Sequence, residues 1–222
     1  MWFFLLKWVV LGPVVRWYSR PQVIGMDRMP RKGPVIIAPN HTSEIESFVL
    51  CLVLRRQPRF IAKAEYFSGK GLRGMADRII VKATGQIPVD RAAGGDKSAA
   101  LEAAADVLRQ GDVWAVYPEG TRSPDGRLYR GHTGALRVAL EVPGVTVLPV
   151  AISGAREVDN PGRRGWKRGR VRIEFGEPLP LSSYDASSPE DWRAATDELM
   201  RRIRTMSGQE YVDSYPPRRS RG

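Results

Sequence analysis

Short runs rich in β-branched and aromatic residues recur along this chain, and stretches with helical periodicity separate them. The runs are Val35–Ala38, Phe60–Lys63, Gln86–Val89, Val113–Tyr117, Val145–Ile152 and Val171–Phe175. The helical stretches fall near Ser43–Leu54, Asp96–Arg109, Gly134–Leu140 and Pro189–Met206. Parallel strands need crossovers of this length, whereas a tight turn joins only antiparallel neighbours. The pattern predicts an α/β fold, a mixed, mostly parallel central sheet flanked by helices. Ligands in such sheets gather beyond the carboxyl ends of the strands, so chemistry is sought in the loops that follow them.

A length of 222 residues suits one domain. At 42% hydrophobic and 27% charged, the chain is not a disordered, collagen-like or polytopic membrane protein. The single cysteine, Cys51, permits no internal disulfide, cysteine-based zinc site or iron–sulfur cluster, and it sits in an apolar helical run where a thiol is inert. Only His41 and His132 offer imidazoles. A net charge of +11 implies an anionic partner: nucleic acid, an acidic membrane surface or a phosphorylated substrate.

The N-terminus narrows that choice. Residues 1–18 are apolar, carry Trp2, Trp8 and Trp17, and are interrupted by Lys7, Gly12, Pro13 and Arg16. A spanning helix wants about 20 uninterrupted apolar residues, while aromatic rings with snorkelling cations belong at the water–lipid boundary. Pro13 should also kink the run. Residues 1–20 therefore read as an uncleaved interfacial membrane anchor; the alternative is a first helix docked on the core. The basic residues that follow (Arg20, Arg28, Arg31, Lys32) favour an anionic membrane over nucleic acid, for which no groove-reading motif is present. The expected organisation is an anchor over 1–20, an α/β domain over 21–208 and a basic tail over 209–222. A second basic cluster (Arg163, Arg164, Lys167, Arg168, Arg170, Arg172) is a solvated face, a lipid contact or a carrier-protein contact.

His41 lies in a strand-to-helix loop. Ser43 and Glu46 have the S-x-x-E spacing of a capping box, which predicts a helix beginning at Ser43. Within one helix His41 and Glu46 would stand about 140° apart; with His41 ahead of the cap, Glu46 can approach the imidazole, orient its tautomer and make it a base. Local spacing alone also allows Glu46 to be a cap and nothing more. Glu44 points elsewhere if the helix begins at Ser43, and His132 reads as the neighbour of a helix cap. A second loop, Pro118-Glu119-Gly120-Thr121-Arg122-Ser123, follows the strand ending at Tyr117. It offers a forked donor, a glycine permitting close approach, and hydroxyls beside exposed amides, which suit phosphate. It lacks the Gly-Lys-Ser/Thr of a nucleotide P-loop. Gly85–Arg91 repeats the arrangement, with Arg91 either a phosphate ligand or a partner of Asp90.

Five segments in order, Asn40-His41-x-Ser43-x-x-Glu46, Phe60-Ile61-Ala62-Lys63-x-Glu65, Gly85-x-Ile87-Pro88-Val89-Asp90-Arg91, Tyr117–Ser123 and Val147-Leu148-Pro149-Val150, resemble the successive blocks of the glycerophospholipid acyltransferase family, the 1-acyl-sn-glycerol-3-phosphate acyltransferases. The resemblance runs from about Val35 to Gly154 and makes the α/β region an acyltransferase domain. One position departs: the family's first block is His-x4-Asp, and position 46 is glutamate.

The resemblance implies acyl transfer from acyl-CoA or acyl carrier protein, as co-substrate, to a hydroxyl of 1-acyl-glycerol-3-phosphate. No acyl-enzyme, metal or bound cofactor is involved. By it, His41 deprotonates the acceptor, Glu46 orients His41, and Arg91, Glu119, Gly120, Thr121, Arg122 and Lys63 bind the phosphate. The extra methylene of Glu46 is expected to be absorbed by a shifted cap or a folded-back rotamer. The oxyanion donors are amides of the loop after Pro118 or of the first turn of the Ser43 helix. The implied location is the cytoplasmic face of the cell membrane, monotopic or peripheral. Alternative acceptors are glycerol-3-phosphate or another lysolipid or glycolipid; a non-catalytic lipid-binding module is the alternative from another class.

Overall fold

The computed structural model describes residues 11–63, 87–89 and 97–217. The expected strands assemble into one sheet. In chain order it comprises β1 (Gln22–Ile24), β2 (Val35–Pro39), β3 (Pro58–Lys63), β4 (Ile87–Val89), β5 (Val113–Ala115), β7 (Thr146–Ser153) and β8 (Arg172–Phe175). Across the sheet the order is β1-β8-β7-β2-β5-β3-β4. The block β7-β2-β5-β3-β4 is parallel; β8 runs antiparallel to β7, and β1 pairs parallel with β8.

β2 lies inside that block, and every residue of Val35–Pro39 is buried. A continuous apolar run is what a strand covered on both faces requires. Successive side chains alternate between faces. Val35 and Ile37 join one core with Val15, Ile45, Val49, Leu50, Ala155 and Val158. Ile36 and Ala38 join another with Ala104, Leu108, Leu136, Leu199 and Ile203. The first core therefore takes α1 (Leu11–Ser19), α2 (Ile45–Val53) and α5 (Ala155–Val158), and the second takes α3 (Lys97–Arg109), α4 (Gly134–Glu141) and α6 (Pro189–Ser207).

From β2 the chain crosses through α2 to β3; from β5 it returns through α4 to β7, on the other side of β2. This reversal places the carboxyl ends of the neighbouring β2 and β5 where α/β sheets form ligand crevices.

The described residues bear on both chain ends. Within the described part of the N-terminal segment, α1 is docked on the core through Val15, at 1% exposure, while Val14 and Trp17 stay exposed at 47% and 59%. Residues 1–10, where the rest of the expected anchor lies, are outside the described residues. Residues 209–217 are not a tail. Gln209 bonds into the interior, and β9 (Tyr211–Val212) pairs with β6 (Leu128–Tyr129). Residues 218–222 lie outside the described residues. Among the described residues no helix is long and apolar enough to cross a membrane.

Candidate active site

β2 ends at Pro39, and side chains rather than a ladder fix the turn into α2. Asn40, wholly buried, imitates a strand residue: its Oδ1 accepts the Ile152 amide at 2.7 Å and its Nδ2 donates to the Ile152 carbonyl at 2.9 Å. His41 follows, with Nδ1 2.8 Å from Glu46 Oε2. Glu46 is itself wholly buried. Its carboxylate also accepts the Thr42 hydroxyl at 2.6 Å and the Thr42 and Ser43 amides at 3.0 and 3.1 Å. Donors on both oxygens offset the cost of burying the group. A carboxylate on Nδ1 favours the proton there, which leaves the Nε2 lone pair able to accept one. The imidazole keeps 15% exposure, enough to meet a substrate.

α2 begins at Ile45, later than the capping box predicts. The serine hydroxyl is drawn away by a remote group: Ser43 Oγ donates to Asp159 Oδ2 at 2.6 Å, and the Ile45 amide donates to the same oxygen at 3.1 Å. A carboxylate at a helix N-terminus interacts with the helix dipole more strongly than a neutral hydroxyl. The half of the box that survives is Glu46 reaching back to the Ser43 amide. The late helix start and the folded-back carboxylate bring Glu46 to His41.

The other strand end supplies a wall. The Tyr117 ring lies parallel to His41, centroids 3.6 Å apart, and its hydroxyl is 2.7 Å from Ser47 Oγ. Burial, and then the neighbouring Glu46, push the phenol pKa well above its ordinary value, so the hydroxyl stays protonated.

The Pro118–Ser123 loop is stitched to the His41 loop by the Ser123 amide, which donates to the His41 carbonyl at 2.7 Å. Arg122 Nη1 lies 2.6 Å from Glu44 Oε1, so Glu44 does face away from the imidazole and toward the loop. Thr121 is half-buried. Gly120 has φ +74°, and a Cβ there would stand 3.0 Å from His132 Cδ2. His132 stacks on Tyr215 with centroids 4.4 Å apart, and its amide donates to the Pro118 carbonyl at 2.8 Å; it braces the loop ahead of α4.

Glu119, expected among the phosphate ligands, points into the protein. It is 1% exposed, Oε1 accepts the His41 amide at 2.9 Å and Oε2 accepts the Tyr129 amide at 2.9 Å. Both oxygens are occupied inside the protein, and a carboxylate repels phosphate. Burial raises its pKa to about 7, against the lowering effect of the two amides. Lys63 closes β3 beside Val89; its side chain and Arg91 lie outside the described residues. Among the described residues no cluster of histidine, cysteine and carboxylates could hold a metal ion.

A family model described as Acyltransferase matches residues 20–153, which contain both loops. The chain belongs to the acyltransferase family. Among similar acyltransferases, the chloroplastic 1-acyl-sn-glycerol-3-phosphate acyltransferase LPAT1 of Arabidopsis thaliana is 29% identical over 170 residues, 76% of this chain and 46% of that protein. The 1-acyl-sn-glycerol-3-phosphate acyltransferase alpha of Homo sapiens is 26% identical over 189 residues, 84% of this chain and 63% of that protein. The chain thus spans about half to just under two-thirds of the length of these relatives. The crystal structure of the 1-acyl-sn-glycerophosphate (LPA) acyltransferase PlsC from Thermotoga maritima superposes with a TM-score of 0.67 at 26% identity, covering 90% of this chain and 80% of that one.

Several residues of this candidate site carry no sequence signal. Asp159, which caps α2, is 116 positions from Ser43. Gln209 bonds Asn40 from 169 positions away. Tyr117 was visible as the end of a strand, yet its stacking on His41 depends on β5 lying beside β2.

Proposed function

We infer that this chain transfers a fatty acyl group from a thioester donor, acyl-CoA or acyl carrier protein, to the free hydroxyl of 1-acyl-glycerol-3-phosphate. The observation that carries this is the 2.8 Å His41–Glu46 pair, tied by the Ser123 amide to the loop bearing Arg122. His41 Nε2 takes the acceptor's hydroxyl proton as the oxygen attacks the thioester carbonyl; the C–O bond forms and the carbonyl oxygen becomes an oxyanion. Collapse breaks the C–S bond, and the thiolate leaves with the proton returned by Nε2. Glu46 holds the Nδ1–H and stabilises the transient imidazolium.

The amides of Thr42, Ser43 and Ile45 are engaged by Glu46 and Asp159, and those of Gly120 and Ser123 by the Tyr117 and His41 carbonyls. The Thr121 and Arg122 amides, in the loop that carries the proposed phosphate ligands, are the proposed oxyanion donors. Arg122, Gly120 and Thr121, with Arg91 and Lys63, are the proposed phosphate ligands. Glu119 is instead proposed to hold the His41 backbone.

The acceptor and product are lipids, and one face suits their surface. Val14 and Trp17 of α1 are exposed, and the Arg168 guanidinium lies 3.9 Å from the centre of the Trp17 ring. Arg16 and Arg20, next to Trp17 in the chain, and Arg164, Lys167 and Arg170, next to Arg168, are exposed as well. Aromatic, aliphatic and cationic groups together favour peripheral binding to an anionic leaflet, which on the cytoplasmic side would give access to acyl donors.

The deciding experiment incubates purified protein with labelled acyl-CoA and a panel of acceptors. Lysophosphatidate should be acylated in preference to glycerol-3-phosphate and to lysolipids lacking a terminal phosphate. Preference for another acceptor would reassign the substrate, and turnover no higher than that of His41→Ala on every acceptor would remove the enzymatic reading.

A further inference from the structure

The residues that immobilise the His41 loop are not confined to the family-matched segment 20–153. After α6, Gly208 adopts φ +68° and ends the helix in a left-handed cap, turning the chain back over the sheet's carboxyl edge. The next residue, Gln209, enters the interior. Its Oε1 accepts from Asn40 Nδ2 at 2.8 Å, and its Nε2 donates to the Gly126 carbonyl at 2.6 Å. One amide therefore ties the residue before His41 to the far end of the loop that begins at Pro118.

A second route runs through backbone. β9 lies along β6: the Leu128 amide donates to the Glu210 carbonyl at 2.9 Å and the Arg130 amide to the Ser214 carbonyl at 3.1 Å. The intervening Tyr129 amide points the other way, as strand alternation requires, and donates to Glu119 Oε2. Glu119 Oε1 in turn accepts the amide of His41. His41 is thus held on one side through Asn40 and on the other through Glu119, and both chains of contacts end in residues 209–214.

We propose that this C-terminal strap is part of the catalytic apparatus, with Gln209 a positioning residue that sets the His41 loop against the Arg122 loop. The proposal rests on the acyltransferase reading for its kinetic consequences. A shift of about 1 Å at a reacting centre can cost about 100-fold in rate, so a tie this close to the base should register in kcat.

The test uses the full chain. Gln209→Met keeps the volume and removes both bonds; Gln209→Glu keeps the acceptor facing Asn40 and sets an acceptor against the Gly126 carbonyl. With lysophosphatidate and acyl-CoA, Gln209→Met should lower kcat at least about tenfold. Gln209→Glu should chiefly raise the KM for lysophosphatidate. Hydrogen exchange, read without substrate, should quicken at the His41 and Thr42 amides in Gln209→Met, and only across residues 120–126 in Gln209→Glu. A lowered melting temperature with wild-type kcat, KM and exchange at these amides would make the strap a packing element only and overturn the proposal. Because exchange needs no turnover, an inactive wild type would count against acyl transfer while the effect of the strap on the loop stayed readable.

Discussion

The imidazole of His41 lies flat on the ring of Tyr117, with centroids 3.6 Å apart and planes 13° from parallel. Glu46 holds the same imidazole through Nδ1, so the ring is located both at its edge and on its face. The Tyr117 hydroxyl is pinned to Ser47, the residue after Glu46, and both restraints are therefore referred to the first turn of α2.

Tyr117→Phe keeps the stack and loses the pin, a hydrogen bond worth about 1 kcal/mol, so kcat should fall about fivefold or less. Tyr117→Leu loses the flat surface and should cost about 10- to 100-fold. Steady-state kinetics alongside thermal melts separate the two; equal kcat for both variants would show that the ring face does not position the base.

Glu46→Gln removes the charge on Nδ1 and turns an amide group toward the Thr42 and Ser43 donors. The comparable change in serine proteases costs about 10⁴-fold in kcat, and a similar loss is expected here. Glu46→Asp withdraws the carboxylate by about 1 Å and should cost about 100-fold. Wild-type turnover in Glu46→Gln would reduce Glu46 to a helix cap.

Glu119 couples stability to pH. Its folded pKa of about 7 lies above its ordinary value of 4.5 because burial disfavours the charge. The folded state therefore holds this proton more tightly than the unfolded chain. The contribution is fully present below pH 4.5 and is lost as pH rises through about 7, at most about 3 kcal/mol at 1.36 kcal/mol per unit. Denaturant unfolding of wild type and Glu119→Gln at pH 5 and pH 8 should show the wild type's advantage shrinking at the higher pH. A difference that does not change with pH would contradict the raised pKa.

Trp17→Ala and Arg168→Glu alter the same exposed stack. Each should weaken sedimentation with vesicles containing anionic phospholipid about fivefold or more, given about 1 kcal/mol for each basic group near such a surface. Added salt should reduce the arginine effect and leave more of the tryptophan effect. Unchanged vesicle binding in both variants would move the membrane contact to another face.

The runs of β2, β5, β7 and β8 were legible because each buries side chains against the core and must be apolar there, whereas β1, exposed at all three residues, was not. Val35–Pro39 is the clearest, with every residue buried. β6 and β9 were not legible: each has two residues, too few to display a period, and their pairing joins Leu128 to Tyr211 across the chain. The start of α2 was misplaced for a related reason. Ser43 and Glu46 have the spacing of a capping box, but Asp159 competes for the serine, and nothing near Ser43 announces it.

Composition and local pattern by themselves determined the layered α/β architecture and singled out the His41 and Arg122 loops as candidates, because apolar periodicity and residue chemistry are local properties. Tertiary structure alone decided that Glu46 meets His41, that Glu119 accepts the His41 and Tyr129 amides, and that residues 209–214 are tied to Asn40 and to β6. Those outcomes depend on which distant donors and acceptors reach a buried polar group first. That competition is settled only when the strands lie side by side.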